Sequence, residues 1–309
     1  MVRSIAEWFA AAEAEGQDLA EVILGREEQE TGVSAEKIRG RIIETLAVME
    51  RAIQEGLEID SPSPSGMTGG RAARLLQDSP AFFGPEFTTM LARAIATLEV
   101  NARMGLIAAA PTAGAAGVVP AVLLTMRDMR GWSTDDLVRG MLVAGGVGSV
   151  IAQRASIAGA GGGCQAETGS AAGMASAAVT YLEGGTREQV GQAIALTLQS
   201  MLGLICDPVA GLVEIPCAYR NASAAVNAVA AAEMALAGLD FPIAPDEVID
   251  VMGEVGNKMD VRYRETALGG LAATPSGQRI AEQTGMTELV QLQRRGRTHG
   301  EDTSRFGPS

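Results

Sequence analysis

Apolar positions recur with a helical period over the first fifty residues: Ile5, Trp8, Phe9 and Ala12 make one stripe, and Ile42, Ile43, Leu46 and Met49 make another. Gly16 and Gly32 punctuate the pattern, which predicts helices across residues 3–55 with Ser34 capping the last of them. A break is expected at Gly56–Gly70, because Ser61-Pro62-Ser63-Pro64-Ser65-Gly66 cannot continue a helix and Gly69-Gly70 opens the next one. Downstream, Ser133-Thr134-Asp135-Asp136 and Thr186-Arg187-Glu188-Gln189 have the spacing of capping boxes, and further helices are predicted from Asn221 to Ala237 and from Pro245 to Val255. Alternation over strand length is nearly absent. The expectation is therefore an all-α protein, a single helical domain over residues 1–285 with Gly/Ala-rich buried helices. From about Glu282 the sequence turns polar and then Gly/Arg/Ser-rich, so residues 286–309 are predicted to be a disordered tail.

Composition refines this picture. Of the 309 residues 47% are apolar but only 4% aromatic, which calls for a core of Ala, Val, Leu, Ile and Met and for close helix approach. A glycine inside a helix costs about 1 kcal/mol relative to alanine. The glycines of 145–163 and 169–173 thus mark either tight backbone packing or short breaks where a ligand approaches. The longest Ala/Gly-rich runs, near 105–125 and 141–164, are interrupted by Pro111, Pro120, Gln153 and Arg154 and fall short of a membrane span. The N-terminus has no charged segment followed by an apolar one, so a cytoplasmic protein is expected, in the compartment where thiols stay reduced. The net charge of −13, with Lys37 and Lys258 the only lysines, excludes nucleic acid as a partner class. Arg294-Arg295-Gly296-Arg297 reads as part of a solvated terminus.

Three cysteines are spaced Cys164-x41-Cys206-x10-Cys217. That spacing fits no CxxC zinc module or ferredoxin run, and the odd count argues against a disulfide framework. Two readings remain: small buried hydrophobes, or three soft ligands of an iron-sulfur cluster with one iron left open. A pyridoxal phosphate enzyme would need a lysine in a phosphate-cradling context, and neither Lys37 nor Lys258 has one. The loop containing Ser65, Thr68, Gly69 and Gly70 is either a linker or an anion-binding turn, since it offers hydroxyls and unhindered amides at a helix start. Asn101 and Thr112 are polar groups in apolar surroundings, suited to substrate binding or to capping. Arg220 could neutralise a substrate carboxylate or the cluster, or make a surface ion pair. Glu167 and Glu214, close to the thiols in sequence, could transfer protons or hydrogen-bond the backbone. The only histidine, His299, falls in the tail, which leaves the base unassigned with Glu167 a weak candidate.

The segments Gly161-Gly162-Gly163-Cys164-Gln165-Ala166-Glu167-Thr168-Gly169-Ser170 and Cys206-Asp207-Pro208 through Ile215-Pro216-Cys217-Ala218-Tyr219-Arg220-Asn221 resemble the cluster-binding segments of iron-sulfur-dependent L-serine dehydratases. The resemblance extends to Ser65-Gly66-Met67-Thr68-Gly69-Gly70, Glu99-Val100-Asn101-Ala102-Arg103-Met104-Gly105, Ala110-Pro111-Thr112 through Pro120, and Glu265-Thr266-Ala267-Leu268-Gly269-Gly270 through Pro275. It runs over residues 1–285 and matches the family's alpha chain. It implies a buried cluster site in which Cys164, Cys206 and Cys217 hold a [4Fe-4S] cluster. The implied activity is elimination of water from L-serine to pyruvate and ammonia through aminoacrylate, within amino acid metabolism and gluconeogenesis. It also implies a hetero-oligomer with a β chain that carries the base. Arg71 and Arg103 stand where the family carries smaller or acidic residues, which leaves open a different amino acid substrate or a partner of a different kind. A second reading keeps the cluster and the α,β-elimination but changes the leaving group, giving an L-cysteine desulfidase or a lyase on another β-substituted amino acid. A third, of another class, is a non-catalytic scaffold or regulatory subunit.

Overall fold

The computed structural model describes residues 2–77, 80–82 and 84–286. The tail expected over 286–309, with His299 and the arginine cluster, lies outside them from residue 287 onward. Thirteen α-helices and no strand occur among the described residues. The N-terminal helices are α1 (Ile5–Glu15), α2 (Leu19–Thr31) and α3 (Ala35–Leu57), followed by α4 (Arg71–Gln77) and α5 (Pro85–Ala102). Next come α6 (Val118–Arg130), α7 (Thr134–Arg154), the single-turn α8 (Gly159–Gly162) and α9 (Ser170–Leu182). The chain ends in α10 (Arg187–Gln199), α11 (Cys217–Leu236), α12 (Pro245–Lys258) and α13 (Pro275–Gln283).

Local sequence explains most boundaries. Ser4, Asp18 and Ser34 accept backbone N–H bonds at the starts of α1, α2 and α3, and full capping boxes form at Ser133/Asp136 and Thr186/Gln189. Two expected boundaries are corrected. Helix α11 begins at Cys217, four residues before Asn221, and Gly56 belongs to the last turn of α3 rather than to the break. The reason for the glycine is remote in sequence: a Cβ at residue 56 would lie 2.2 Å from the carbonyl oxygen of Ala96 on α5.

Helix α9 is the centre of the molecule. Every residue from Ser170 to Thr180 is buried, and α6, α7, α10 and α11 surround it, as befits a helix without a polar face. Helix α5 packs against α3, α4, α6 and α11. Glycines in α7 serve close approach: Gly146 faces Trp8 and Ile23, and Gly148 faces Met174. The glycines at 159–163 do something different, since they lie where the helical path breaks beside the first cysteine. No helix among the described residues is long and apolar enough to cross a membrane.

Candidate metal centre

Cys164 precedes a π-helical turn, Gln165–Gly169, that leads into α9. Such turns are rare and occur often at functional sites. Here the widened turn faces Thr168 and Glu167 toward the thiol. Cys164 Sγ lies 3.5 Å from Thr168 Oγ1, and Glu167 Oε2 lies 4.0 Å from Cys206 Sγ. Ligand atoms of Cys164, Glu167 and Cys206 all fall within 4.8 Å of one another, and all three residues are buried. Cys217 opens α11 and is buried with Leu98 and Ala218.

The electrostatics tie the third thiol to the other two. A hydrogen bond from Cys206 holds the Cys164 thiol below its ordinary range against the cost of burial, with further help from Thr168 and the Arg220 cation. That same bond, then burial, pushes the Cys206 thiol up. Burial pushes the Cys217 thiol up, and the charges of Cys164 and Glu167 add to it. Burial also raises the Glu167 carboxyl to about 7, opposed by the Thr112 hydroxyl and reinforced by Cys164 and Glu265. Thr112 Oγ1 donates to Glu167 Oε1 at 2.8 Å.

Arg220, one turn into α11, supplies the positive charge. Its Nη1 donates to the Ile205 carbonyl at 2.8 Å and lies 2.8 Å from Asp207 Oδ1, a charge contact rather than an aligned hydrogen bond. Asp207 in turn accepts the Leu271 amide at 2.6 Å, and a Cβ at Gly270 would meet its Oδ2 at 2.3 Å. The Glu265–Pro275 segment is thereby laid against the second cysteine, whose amide and carbonyl bond Tyr263 and Glu265. Glycines make the wall of the site. A Cβ at Gly159 would stand 2.7 Å from Glu167 Oε2 and 3.0 Å from Cys206 Sγ, and one at Gly114 would stand 3.1 Å from Glu167 Oε2.

The Ser65–Gly70 loop packs against this centre through Met67, which is buried with Val209 and Ala210 between the second and third cysteines. Its donors hold the chain's own carboxylates. Glu214 accepts from the hydroxyls of Ser63, Ser65 and Thr68 and from the Thr68 amide at 3.0 Å. Glu99 Oε1 accepts from the amides of Gly69 at 2.9 Å and Arg71 at 3.0 Å. The loop is thus neither a linker nor a set of free donors. Gly70 has a left-handed φ of 70° and a Cβ there would meet the Ile59 carbonyl at 3.2 Å, so it serves the turn. Asn101 is half-buried at the C-terminal end of α5. Arg71 lies over the Tyr219 ring, 5.9 Å from its centroid, and Arg103 clamps the carbonyls of Ser61 and Pro62. Lys258 is exposed and paired with Glu254.

Gln165, Asp207 and Glu99 were not singled out by sequence as site residues. Gln165 is fully buried and joins Gly203 and Met252 to the first cysteine's turn, while Asp207 anchors Arg220. Adjacency to Cys164 and Cys206 was the available signal for the first two.

The donor set fits an iron-sulfur cluster: soft thiols, burial, an arginine against the anion, and glycine in place of side chains around the sulfurs. The model of the serine dehydratase alpha chain family matches residues 14–272. The chain belongs to that family. It is 46% identical over 283 residues to the probable L-serine dehydratase alpha chain of Bacillus subtilis, covering 91% of this chain and 94% of that one. The L-serine dehydratase alpha chain of Peptoniphilus asaccharolyticus is 39% identical over 283 residues, at 91% and 97% coverage. The L-serine dehydratase of Streptomyces coelicolor is 42% identical over 245 residues, which are 77% of this chain but 53% of that protein. Members of the family thus occur both as alpha chains of this length and as longer proteins.

Proposed function

We propose that this chain is the cluster-bearing α subunit of a cytoplasmic L-serine dehydratase, acting with a β chain to convert L-serine to pyruvate and ammonia. The observation that carries the reading is the buried grouping of Cys164, Cys206 and Glu167 with Arg220 and Cys217, in a chain whose full-length relatives bear that name. Cys164, Cys206 and Cys217 would hold a [4Fe-4S] cluster. Bound there, the cluster supplies a Lewis acid, at an iron free of protein ligands, for departure of the β-hydroxyl.

The chain's own residues would do the rest of the work on this side of the site. Arg220 holds positive charge against Cys164 and so favours its thiolate. Thr112 fixes Glu167 Oε1, leaving Oε2 toward the thiols as the carboxyl oxygen placed to exchange a proton. Burial excludes bulk water from all three sulfurs. Glu214, held by the Ser63–Thr68 turn, braces the segment between the second and third cysteines. Ser65, Thr68, Gly69 and Gly70, with Asn101, Thr112 and Arg220, border the space for the amino acid in this reading. The base that removes the α-proton is assigned to the β chain, in line with the 47% of the Streptomyces protein that this chain does not cover.

The test is anaerobic reconstitution with iron and sulfide, with and without the β chain, followed by pyruvate assays on serine, threonine and cysteine. A brown protein absorbing near about 400 nm and turning over serine only with both chains is expected. A chain that takes up no iron under these conditions would make it a scaffold, and preferential sulfide release from cysteine would make it a desulfidase.

A further inference from the structure

Glu99 is 1% exposed and carries one carboxylate oxygen that the fold leaves without a donor. Its Oε1 is fixed by the amides of Gly69 and Arg71, while Oε2 is buried and accepts nothing. Neither nearby arginine pairs with it: Arg71 donates to the Met67 carbonyl and lies over Tyr219, and Arg103, the residue that caps α5, donates through Nη2 to the Ser61 and Pro62 carbonyls while its Nε is buried without an acceptor. Among the described residues Glu99 makes no ion pair. A buried carboxylate oxygen in that condition calls for a ligand, and a cationic donor gives the strongest bond available to it.

Its position points to which cation. Leu98, the preceding residue, is buried against Cys217 and Ala218. Gly69, whose amide holds Oε1, follows Thr68, which grips Glu214 three residues before Cys217. Glu99 thus lies on the helix that packs against the cysteine-bearing α11, with its Oε1 tied to the loop whose Met67 packs on the Cys206–Cys217 segment. We propose that Glu99 Oε2 receives the α-ammonium group of the amino acid substrate, making Glu99 the residue that selects an amino acid over the corresponding hydroxy acid. This inference rests on the dehydratase reading above.

The test uses the reconstituted two-chain enzyme and compares wild type with Glu99→Gln. Glutamine keeps a carbonyl oxygen for the Gly69 and Arg71 amides, so a purely structural cap survives the change, whereas a charged acceptor for ammonium does not. The probe is 3-hydroxypropionate, which is serine without its ammonium group, as a competitive inhibitor. Loss of one charge-assisted bond predicts that KM for serine rises roughly tenfold to a hundredfold, while the Ki for 3-hydroxypropionate, the iron content and Tm stay as in wild type. Unchanged KM in the variant would overturn the proposal, as would equal weakening of serine and 3-hydroxypropionate. Wild type supplies a check that needs no variant: if it binds 3-hydroxypropionate as tightly as serine, there is no ammonium receptor. Absence of serine turnover in wild type is a different failure, that of the dehydratase reading itself, and removes this inference with it.

Discussion

Replacing Glu214 with alanine removes the acceptor that ties the Ser63–Thr68 turn to the cysteine-bearing segment. Four donors lose their partner at once: the hydroxyls of Ser63, Ser65 and Thr68 and the Thr68 amide. Ser63 and Thr68 are buried, so their donors cannot all be recovered by water. A hydrogen bond to a charged group contributes about 1.5–3 kcal/mol. Four of them do not add, because the hydroxyls can turn toward each other, as Ser63 and Ser65 already do at 3.0 Å. Breaking such a buried network costs about 3–5 kcal/mol. For a chain of this size that lowers Tm by about 5–8 °C. Because the braced segment lies between Cys206 and Cys217, iron retention after anaerobic desalting should fall as well. Thr68→Val removes one of the four donors and should show the same two effects, each smaller. The assay is a thermal melt of the iron-free chain together with an iron count on the reconstituted one. Glu214→Ala with Tm and iron both at wild-type values would refute the bracing role.

Gly40 and Gly56 lie on the same helix and should respond oppositely to alanine. Position 40 has open space and should gain about 0.5–1 kcal/mol in urea unfolding, while Gly56→Ala drives a methyl into the Ala96 backbone and should lose about 1–3 kcal/mol or more. Serine at Cys164, Cys206 or Cys217 should each lower bound iron in the reconstituted chain, since a hard hydroxyl replaces a soft thiolate; full iron in any one variant removes that residue from the ligand set. Burial alone would raise the Asp18 carboxyl, but bonds from Tyr181, the Glu21 amide and Arg139 hold it below its usual range. A depressed carboxyl stabilises the fold above its unfolded pKa and loses that contribution as pH falls through the folded one. Asp18→Asn keeps the cap of α2, so its Tm should lie below wild type at pH 7, and the gap should close as pH falls below the ordinary aspartate range, as read from melts from neutral to acid pH.

What sequence could reveal here tracked how far apart the interacting residues are. Capping boxes at Ser133 and Thr186 and the stripe of α1 depend on partners three or four residues away, and they were legible. The role of Gly56 was not, because it is set by Ala96, forty positions on, and Gly40 looks the same in sequence. The cysteines occupy an intermediate case. Their spacing alone favours inert thiols over metal ligands, and only the surrounding segments point to a centre whose Cys164 and Cys206 do stand together. The Ser65–Gly70 loop is the most instructive. Its hydroxyls and glycine amides announced a binder of carboxylates, and carboxylates are what it holds, but they come from Glu214 and Glu99. Donor chemistry is local and can be read from a hexapeptide; the identity of the acceptor is decided by a contact spanning 146 residues. Of the two internal acceptors, Glu214 uses both oxygens and Glu99 only one, so one carboxylate oxygen at this loop is still open. In the proposed reading this edge of the site suits a cation, and Arg220, whose positive charge stands beside Cys164, is the group of this chain suited to the carboxylate of the amino acid.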